Sequence, residues 1–234
     1  METQLRQPAW PRALPAAPAV AEPVDDLAPE RRRTLAYRFG KRALDIAGGL
    51  VGVAILALAW PAIALAIRLD SPGPVLFRQW RPGLGKRGFW LYKFRTMYQD
   101  AEERLPLLLR SGADSSPILI DIPNDPRVTR VGRLLRKTSL DEIPQFINVL
   151  RGEMSLVGPR PFARALWSHE RAAGARFLVR PGLTGLWQIG GRKNSTFRDA
   201  LRKDLRYIRS WSLWLDIRIL LWTVPAVLRA RGAR

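Results

Sequence analysis

The chain has 234 residues, which is enough for one core of ordinary size rather than for two or three domains. It contains no cysteine and one histidine, His169, which excludes disulfide frameworks, thiolate metal sites and chemistry based on a histidine pair. The 39 Lys and Arg against 20 Asp and Glu give a formal charge of +19, which favours nucleic acid, anionic lipid or phosphorylated substrates as partners.

The N-terminal third divides into a tail and an apolar segment. Residues 1–40 are rich in Pro, Ala and charge and show no sustained hydrophobic period, so we predict a disordered tail. Within 41–70, the run from Ile46 to Ile67 carries no charge. As a helix this run would be about 33 Å long, about the thickness of a bilayer core. A helix that spans the membrane is the simplest interpretation.

Two features favour a re-entrant membrane helix instead. Pro61, preceded by Trp60, removes a backbone hydrogen bond inside the run and bends the helix. Basic residues also lie on both sides of the run: Arg31, Arg32, Arg33, Arg38, Lys41 and Arg42 before it, and Arg68, Arg78, Arg81, Lys86 and Arg87 after it. Cytoplasmic flanks of membrane helices carry such an excess. Positive charge at both ends suits a helix that enters, breaks at Trp60-Pro61 and leaves on the same face.

From Asp70 onward, the patterns are typical of a mainly helical α+β unit that occupies residues 71–234. Short strands are predicted at Val75–Gln79 and Phe89–Phe94, around a glycine-rich loop from Arg81 to Gly88, and these form a small β-hairpin. Residues 111–126 read as a loop. Helices are predicted at Ala101–Arg110, Arg127–Arg136, Ser139–Leu150 and Phe162–Ala173.

The C-terminal stretch, Phe197–Arg231, is predicted to be helical and amphipathic. It places Tyr207, Trp211, Trp214 and Trp222 among Arg206, Arg209 and Arg218. Aromatic rings beside cations suit the headgroup zone of a membrane, which would make this an interfacial helix. A helix that packs into the core and exposes its arginines is the alternative.

The candidate centre for chemistry is the pair Asp141 and Glu142. Ser139 with Glu142 three residues later also fits a capping box, in which the acids only stabilise a helix start. Cations surround the pair in sequence, with Arg136 before it and Arg160 after it in a rigid Gly-Pro-Arg-Pro turn. Adjacent carboxylates among cations can hold Mg²⁺ and a diphosphate together, and one carboxylate can attack phosphorus as a nucleophile.

Other cations are candidates for phosphate binding or for ordinary surface positions. Lys93 and Arg95 stand at the end of a predicted strand. Arg180 begins a turn, Arg180-Pro181-Gly182, and Arg192 follows two glycines. The residues themselves leave both interpretations open.

Four strings in this order resemble the bacterial sugar transferase family, the monotopic phosphoglycosyl transferases. They are Lys93-Phe94-Arg95-Thr96-Met97, Ser139-Leu140-Asp141-Glu142, the stretch from Gly152 to Pro161, and Arg180-Pro181-Gly182-Leu183-Thr184-Gly185. The resemblance runs from Lys41 to about Val224. Each string is weak singly, but together, behind an apolar segment, they are highly specific.

The resemblance implies a polyprenyl-phosphate hexose-1-phosphate transferase that works by a ping-pong mechanism. Asp141 matches the family nucleophile, which attacks the β-phosphorus of a UDP-sugar and expels UMP, and polyprenyl phosphate then takes the phosphosugar from the aspartyl intermediate. Glu142 matches its partner, and both carboxylates are implied in Mg²⁺ binding. The cations within the matched strings are expected to bind substrate or phosphate: Lys93, Arg95, Arg160 and Arg180. Arg136, just before the acids, and Arg192, after two glycines, are expected to do the same.

The resemblance also implies a location and partners. The expected arrangement is the small form of the family, monotopic at the bacterial cytoplasmic membrane, with the re-entrant helix broken at Pro61 and the catalytic domain on the cytoplasmic face. The family's proline commonly follows Ser, whereas Trp60 precedes it here. UDP-sugar, polyprenyl phosphate and membrane lipids are the implied partners, without nucleic acid, and a homodimer is compatible with the sequence.

Two other functions remain as alternatives. A Mg²⁺-dependent hydrolase of lipid diphosphates could use the same carboxylate pair with water as the acceptor. A non-enzymatic, membrane-tethered protein that binds nucleic acid would explain the charge, but the sequence has no recognisable nucleic-acid motif.

Overall fold

A computed structural model describes residues 34–110, 124–161, 171–190 and 197–228. Helices and two small sheets confirm the predicted α+β class. The elements are α1 (Leu35–Asp70), β1 (Leu76–Pro82), β2 (Gly88–Phe94), α2 (Ala101–Arg110), α3 (Arg130–Thr138), α4 (Gln145–Arg151), β3 (Ser155–Val157), β4 (Gly182–Thr184), α5 (Leu186–Ile189), α6 (Phe197–Ser210) and α7 (Leu213–Leu228). Short 3₁₀ helices occupy Leu84–Lys86, Leu140–Glu142 and Arg171–Leu178.

Helix α1 is longer and more regular than the sequence predicts. It begins at Leu35, earlier than the predicted start at residue 41, because the Thr34 hydroxyl caps it by accepting from the Tyr37 N–H at 3.4 Å. The chain stays helical through Trp60-Pro61, so the break predicted there does not interrupt the helix. A proline removes one backbone hydrogen bond and bends a helix without having to end it. The rest of the predicted tail, residues 1–33, lies outside the described residues.

One side of α1 packs against the rest of the protein along the whole apolar run. Gly52 sits so close to α4 that a Cβ there would lie 2.1 Å from the ring of Phe146. Trp60 packs on Phe94 with ring centroids 5.5 Å apart. The opposite side is apolar and uncovered, since Leu58 is 86% exposed. Among the described helices, α1 is the one whose length and composition would allow it to cross a membrane.

Buried charges fix the N-terminal part of α1 to β3 and α7. Lys41 Nζ donates to the Val157 carbonyl at 3.0 Å and forms an ion pair with Asp216 at 2.9 Å. One turn later, Asp45 accepts from the Ser155 hydroxyl at 2.8 Å. Because buried charges are tolerated only when they are paired, these contacts fix both the register and the direction of α1 on the domain.

The β-hairpin is present, and its strands are longer than predicted. β1 and β2 are antiparallel from Leu76↔Phe94 to Pro82↔Gly88, so the predicted loop from Arg81 to Gly88 shortens to the residues between Pro82 and Gly88. Side chains alternate between the two faces of a strand. Arg81 and Lys93 therefore share the hairpin face that carries Phe89 and Leu91 into the core.

A second, parallel sheet of two short strands was not predicted. β3 pairs with β4 through Ser155↔Gly182 and Val157↔Thr184. The strands end in a close contact of backbones, because a Cβ on Gly158 would lie 2.5 Å from the Arg180 carbonyl oxygen. The main core packs around this sheet and includes Val149, Met154, Leu156, Val157, Val179, Tyr207 and Ile208.

Several predicted helices have different limits in the structure. The predicted helix Ser139–Leu150 divides into the 3₁₀ turn and α4, with Pro144 at the start of α4. Of the predicted helix Phe162–Ala173, residues 162–170 lie outside the described part and the remainder begins a 3₁₀ helix. The predicted C-terminal helix is interrupted after Ser210 and continues as α7.

The interfacial prediction for the C-terminal aromatic residues is wrong for two of the four. Tyr207 and Trp211 are buried, at 2% and 6% exposure, because they pack into the core beside α1. Trp214 and Trp222, on α7, are 67% and 60% exposed. The core-packing alternative therefore describes α6, whereas α7 presents uncovered aromatic rings.

Candidate active site

The turn between α3 and α4 brings the two candidate carboxylates into place. Ser139 adopts a left-handed conformation, with φ of +58°, and the chain then makes the 3₁₀ turn that contains Asp141 and Glu142. The Ser139 side chain makes no capping hydrogen bond, so the capping-box interpretation is wrong. The helix cap in this region lies earlier, where the Thr129 hydroxyl accepts from the Gly132 N–H at 2.9 Å.

Glu142 is held between two cations from distant parts of the chain. Lys93 Nζ, from β2, donates to Oε1 at 3.0 Å. Arg160, from the turn after β3, donates to Oε1 at 2.6 Å and to Oε2 at 3.3 Å. Burial alone would raise the pKa of Glu142, but the charges of Arg160 and Lys93 outweigh it and hold the pKa well below its usual range. Glu142 is therefore ionised throughout the neutral range.

Asp141 stands beside this clamp in a different environment. Its side chain is buried, and no hydrogen bond or ion pair joins its carboxylate to another described residue. Burial raises the pKa of Asp141; the charge of Lys93 opposes this shift and that of Glu142 adds to it. Neighbouring carboxylates in unlike environments are suited to unlike roles. The oxygens of Asp141 are available for a reacting partner, whereas those of Glu142 are occupied.

Arg136 is the third predicted cation that belongs to this group. It lies in the last turn of α3, and its Nε donates to the Thr96 hydroxyl at 2.9 Å. Its charge is near enough to act on the pKa of Asp141 and lower it. The structure thus brings Lys93, Arg136 and Arg160 together around the two acids.

Arg95 and Arg180 have other contacts. Arg95 is buried at the end of α1, where it donates to the carbonyls of Pro72 and Ser71, the latter at 2.7 Å. Arg180 Nε donates to the Gly152 carbonyl at 2.8 Å, just after α4. These bonds satisfy backbone groups that a helix end leaves open, so the geometry gives both arginines a structural contact. Arg192 lies outside the residues that the structure describes.

Arg81 is a further cation beside Arg160, and sequence reasoning counted it only among the basic flanks of the membrane segment. Burial and the charge of Arg160 lower the pKa of Arg81 to about 10. The missing signal was the strand register, because the alternation of β1 and β2 puts Arg81 on the same face as Lys93. Because the strand was predicted to end at Gln79, the sequence did not show which face of the hairpin Arg81 occupies.

The small number of acidic residues at the site limits how a metal ion could be bound there. In the described ranges, no group of three or more His, Asp or Glu residues is placed to bind a metal ion. Mg²⁺ in phosphoryl-transfer sites commonly takes only one or two carboxylates and completes its shell with water and substrate phosphate. The open oxygens of Asp141, next to Glu142, fit such a site.

Comparisons with known proteins identify the family. A family model described as bacterial sugar transferase matches residues 36–230. The UDP-glucose:undecaprenyl-phosphate glucose-1-phosphate transferase of Caulobacter vibrioides is 44% identical over 202 residues, which is 82% of this chain and 71% of that protein. The exopolysaccharide production protein ExoY of Rhizobium meliloti is 38% identical over 197 residues, which is 82% of this chain and 87% of that protein.

The chain belongs to the bacterial sugar transferase family. Some relatives are much longer than this chain. The galactosyl transferase CpsE of Streptococcus agalactiae is 42% identical over 201 residues, which is 85% of this chain but 44% of that protein. The chain thus spans less than half the length of some curated relatives and most of the length of others.

Proposed function

We propose that the protein transfers a hexose-1-phosphate from a UDP-sugar to undecaprenyl phosphate and releases UMP, the step that initiates assembly of a polysaccharide or glycan. Membership of the family and the names of the relatives support this reaction class. The observation that carries the proposal is the unlike pair of acids: Glu142 is fixed between Lys93 and Arg160, while Asp141 keeps its oxygens open beside them. The sugar and the glycan pathway are left to experiment.

The proposed mechanism has two displacements at one phosphorus atom. The Asp141 carboxylate attacks the β-phosphorus of the UDP-sugar, the bond from that phosphorus to the bridging oxygen breaks, and UMP leaves with the electron pair. An oxygen of undecaprenyl phosphate then attacks the same phosphorus and frees Asp141. Lys93, Arg136 and Arg160 supply positive charge for the phosphate oxygens, and Glu142 keeps two of these cations in position.

We also propose that Mg²⁺ is bound at the Asp141–Glu142 pair together with the diphosphate, with Asp141 as the direct carboxylate ligand, because the oxygens of Glu142 accept from Lys93 and Arg160. Bound there, it would neutralise phosphate oxygens and stabilise the leaving UMP. The open oxygens of Asp141 support this assignment.

We further propose that the protein is monotopic, on the cytoplasmic face of the bacterial cytoplasmic membrane, with α1 bent at Pro61 so that both of its ends lie at the same face while the chain stays helical. The uncovered apolar side of α1 and the exposed rings of Trp214 and Trp222 would contact lipid. A bilayer-crossing α1 would carry the domain packed against its other side into hydrocarbon, where charges such as Arg151 are costly. Same-side entry avoids that cost and holds Asp141 near the lipid phosphate.

The two alternative functions would use the acid pair differently. A hydrolase of lipid diphosphates would use the acid pair with water as acceptor, and would sustain release of product without a lipid acceptor. A nucleic-acid-binding protein would need no carboxylate pair in a cationic clamp. Transfer to a lipid acceptor is the function that the family and the site geometry both favour.

The experiment is a screen of UDP-sugars for UMP release by the purified protein in nanodiscs, with undecaprenyl phosphate and Mg²⁺ present. We expect sustained UMP release with at least one hexose donor, dependent on the lipid acceptor, and none with Asp141→Asn. Sustained UMP release without any acceptor would show that water replaces the lipid as acceptor, and release of phosphate from undecaprenyl diphosphate without a UDP-sugar would favour the hydrolase. Undiminished turnover by Asp141→Asn would remove the nucleophile assignment.

A further inference from the structure

Arg81 lies at the rim of the carboxylate site, where the hairpin meets the Gly-Pro-Arg-Pro turn. It is the next-to-last residue of β1 and shares the hairpin face of Lys93. The two residues after it, Pro82 and Gly83, line a cavity together with Arg160 and its flanking prolines. The segment of Arg176 and Phe177 closes the cavity on the other side. Arg81 does not line this cavity itself, but it directly precedes two residues that do.

The guanidinium group of Arg81 has donors left over. One Nη group donates to the Gln79 side-chain oxygen. The Nε group is buried and has no hydrogen-bond partner within the described part of the chain, and no carboxylate there forms an ion pair with Arg81. A buried donor without an acceptor destabilises the folded protein. An incoming acceptor would remove this destabilisation.

Arg81 is also held beside a like charge. Burial, and after it the charge of Arg160, lower the pKa of Arg81 to about 10, so the two guanidinium groups repel each other. Arg160 is partly engaged with Glu142, to which both of its Nη groups donate, whereas Arg81 has no acidic partner among the described residues and can turn its donors to an anion.

The net charge of the side chains at this site indicates which anion would bind there. Lys93, Arg136 and Arg160 act on the acids Asp141 and Glu142, and Arg81 lies beside Arg160. These side chains carry two more positive than negative charges when all are ionised. The diphosphate of a sugar nucleotide carries two negative charges, and paired guanidinium groups match phosphate oxygens in geometry.

We propose that Arg81 is a substrate-binding residue that grips the diphosphate of the sugar-nucleotide donor beside Arg160. This inference rests on the proposed function, because it takes the donor as the ligand. The lipid phosphate of the acceptor offers the same chemistry, and a purely structural bond to Gln79 is the simplest rival. The donor is favoured because its diphosphate offers two adjoining phosphate groups to the two neighbouring guanidinium groups, whereas the lipid acceptor offers one phosphate.

The test compares Arg81→Gln and Arg81→Lys with a control on the same strand. Arg78→Gln is matched, because Arg78 is exposed and lies on the opposite face of β1. Steady-state UMP release is measured while UDP-sugar and undecaprenyl phosphate are varied in turn. For Arg81→Gln we expect the KM for UDP-sugar to rise by about tenfold or more, with smaller changes in kcat and in the KM for the lipid. Arg81→Lys should recover part of the loss, and Arg78→Gln should match the unaltered protein.

Three results would overturn the proposal: an unchanged donor KM in Arg81→Gln, a rise confined to the KM for the lipid, or an equal loss of thermal stability in Arg81→Gln and Arg81→Lys that accounts for the whole effect. A binding measurement separates this inference from the proposed reaction. UDP alone should raise the melting temperature of the unaltered protein and of Arg78→Gln, but much less that of Arg81→Gln. If no UDP-sugar supports UMP release while this difference holds, the anion site stands and the reaction fails.

Discussion

Glu142 and Asp141 are neighbours in sequence, yet the structure gives them opposite electrostatic environments. Glu142 receives three hydrogen bonds from Lys93 and Arg160, and these cations lower its pKa. Asp141 is buried without such a partner among the described residues, and its pKa is raised. Because the sequence shows only two adjacent acids, the division of roles between them is information that the fold supplies.

We expect Glu142→Gln to destabilise the protein by about 1.5 to 3 kcal/mol at pH 7, because it removes charged hydrogen bonds from Arg160 and Lys93. The pKa of Glu142 is lower in the folded than in the unfolded chain, so its stabilising contribution is complete above the unfolded value of about 4.3 and is lost as the pH falls through the folded value. Thermal unfolding between pH 7 and pH 3 measures this difference.

The control for this change is Glu102→Gln, at an exposed position in the first turn of α2. It should alter stability by less than about 0.5 kcal/mol at any of these pH values. A Glu142→Gln penalty that is absent at pH 7, or that grows as the pH falls below 4, would contradict the cationic clamp.

At the scale of elements, α3 positions the site through one glycine. A Cβ on Gly132 would lie 2.1 Å from the Thr96 carbonyl oxygen, which is backbone and cannot rotate away. This contact sets α3 against the chain that follows Lys93 and Arg95. The C-terminal turn of α3 carries Arg136 and leads directly into the turn of Asp141.

We therefore expect Gly132→Ala to destabilise the protein by about 1 to 3 kcal/mol, although alanine is the better helix former by about 1 kcal/mol. UMP release should fall as well, because α3 must shift. Gly174→Ala is the control, since a Cβ there would have no neighbour within 4 Å. Equal thermal stability of both variants in nanodiscs would show that the close contact with Thr96 does not exist in solution.

The elements differ in how far the sequence could predict them. The hairpin, α2 and the apolar helix were predictable, because alternation and hydrophobic length are local signals. β3 and β4 were not, since each has three residues and depends on a partner in a distant segment. In the site, the acids and Lys93 were predictable only through the matched family strings, because residue type alone left a capping box and a surface position open, whereas the structural contact of Arg95 depends on where α1 ends.

A labelling experiment tests the membrane arrangement proposed for α1. The chain has no cysteine, so single-cysteine variants are clean probes. Leu35→Cys and Arg78→Cys, both at exposed positions on opposite sides of the apolar run, should react with a membrane-impermeant maleimide from the cytoplasmic side only. Leu58→Cys, on the uncovered side of α1, should be protected from either side. Labelling of Leu35→Cys and Arg78→Cys from opposite sides would show that α1 spans the bilayer.

At the scale of the whole molecule, helix α1 connects the contact with lipid to the position of the candidate active site. α1 is uncovered on its outer side and carries the domain on its inner side, so lipid contact and site position are linked through the same helix. The excess of basic residues adds attraction to anionic headgroups and phosphates alike. The homodimer remains a prediction. The molecular mass of the protein in detergent-free particles would test it.

The proposed mechanism depends on a phosphosugar that is bound covalently to the Asp141 carboxylate. Intact-mass analysis after rapid quenching, with a productive UDP-sugar and Mg²⁺ but no lipid acceptor, measures it directly. We predict a mass increase of one phosphosugar that maps to Asp141, disappears when undecaprenyl phosphate is added, and is absent from Asp141→Asn. UMP release and lipid product formed without any such adduct at Asp141 would contradict the account.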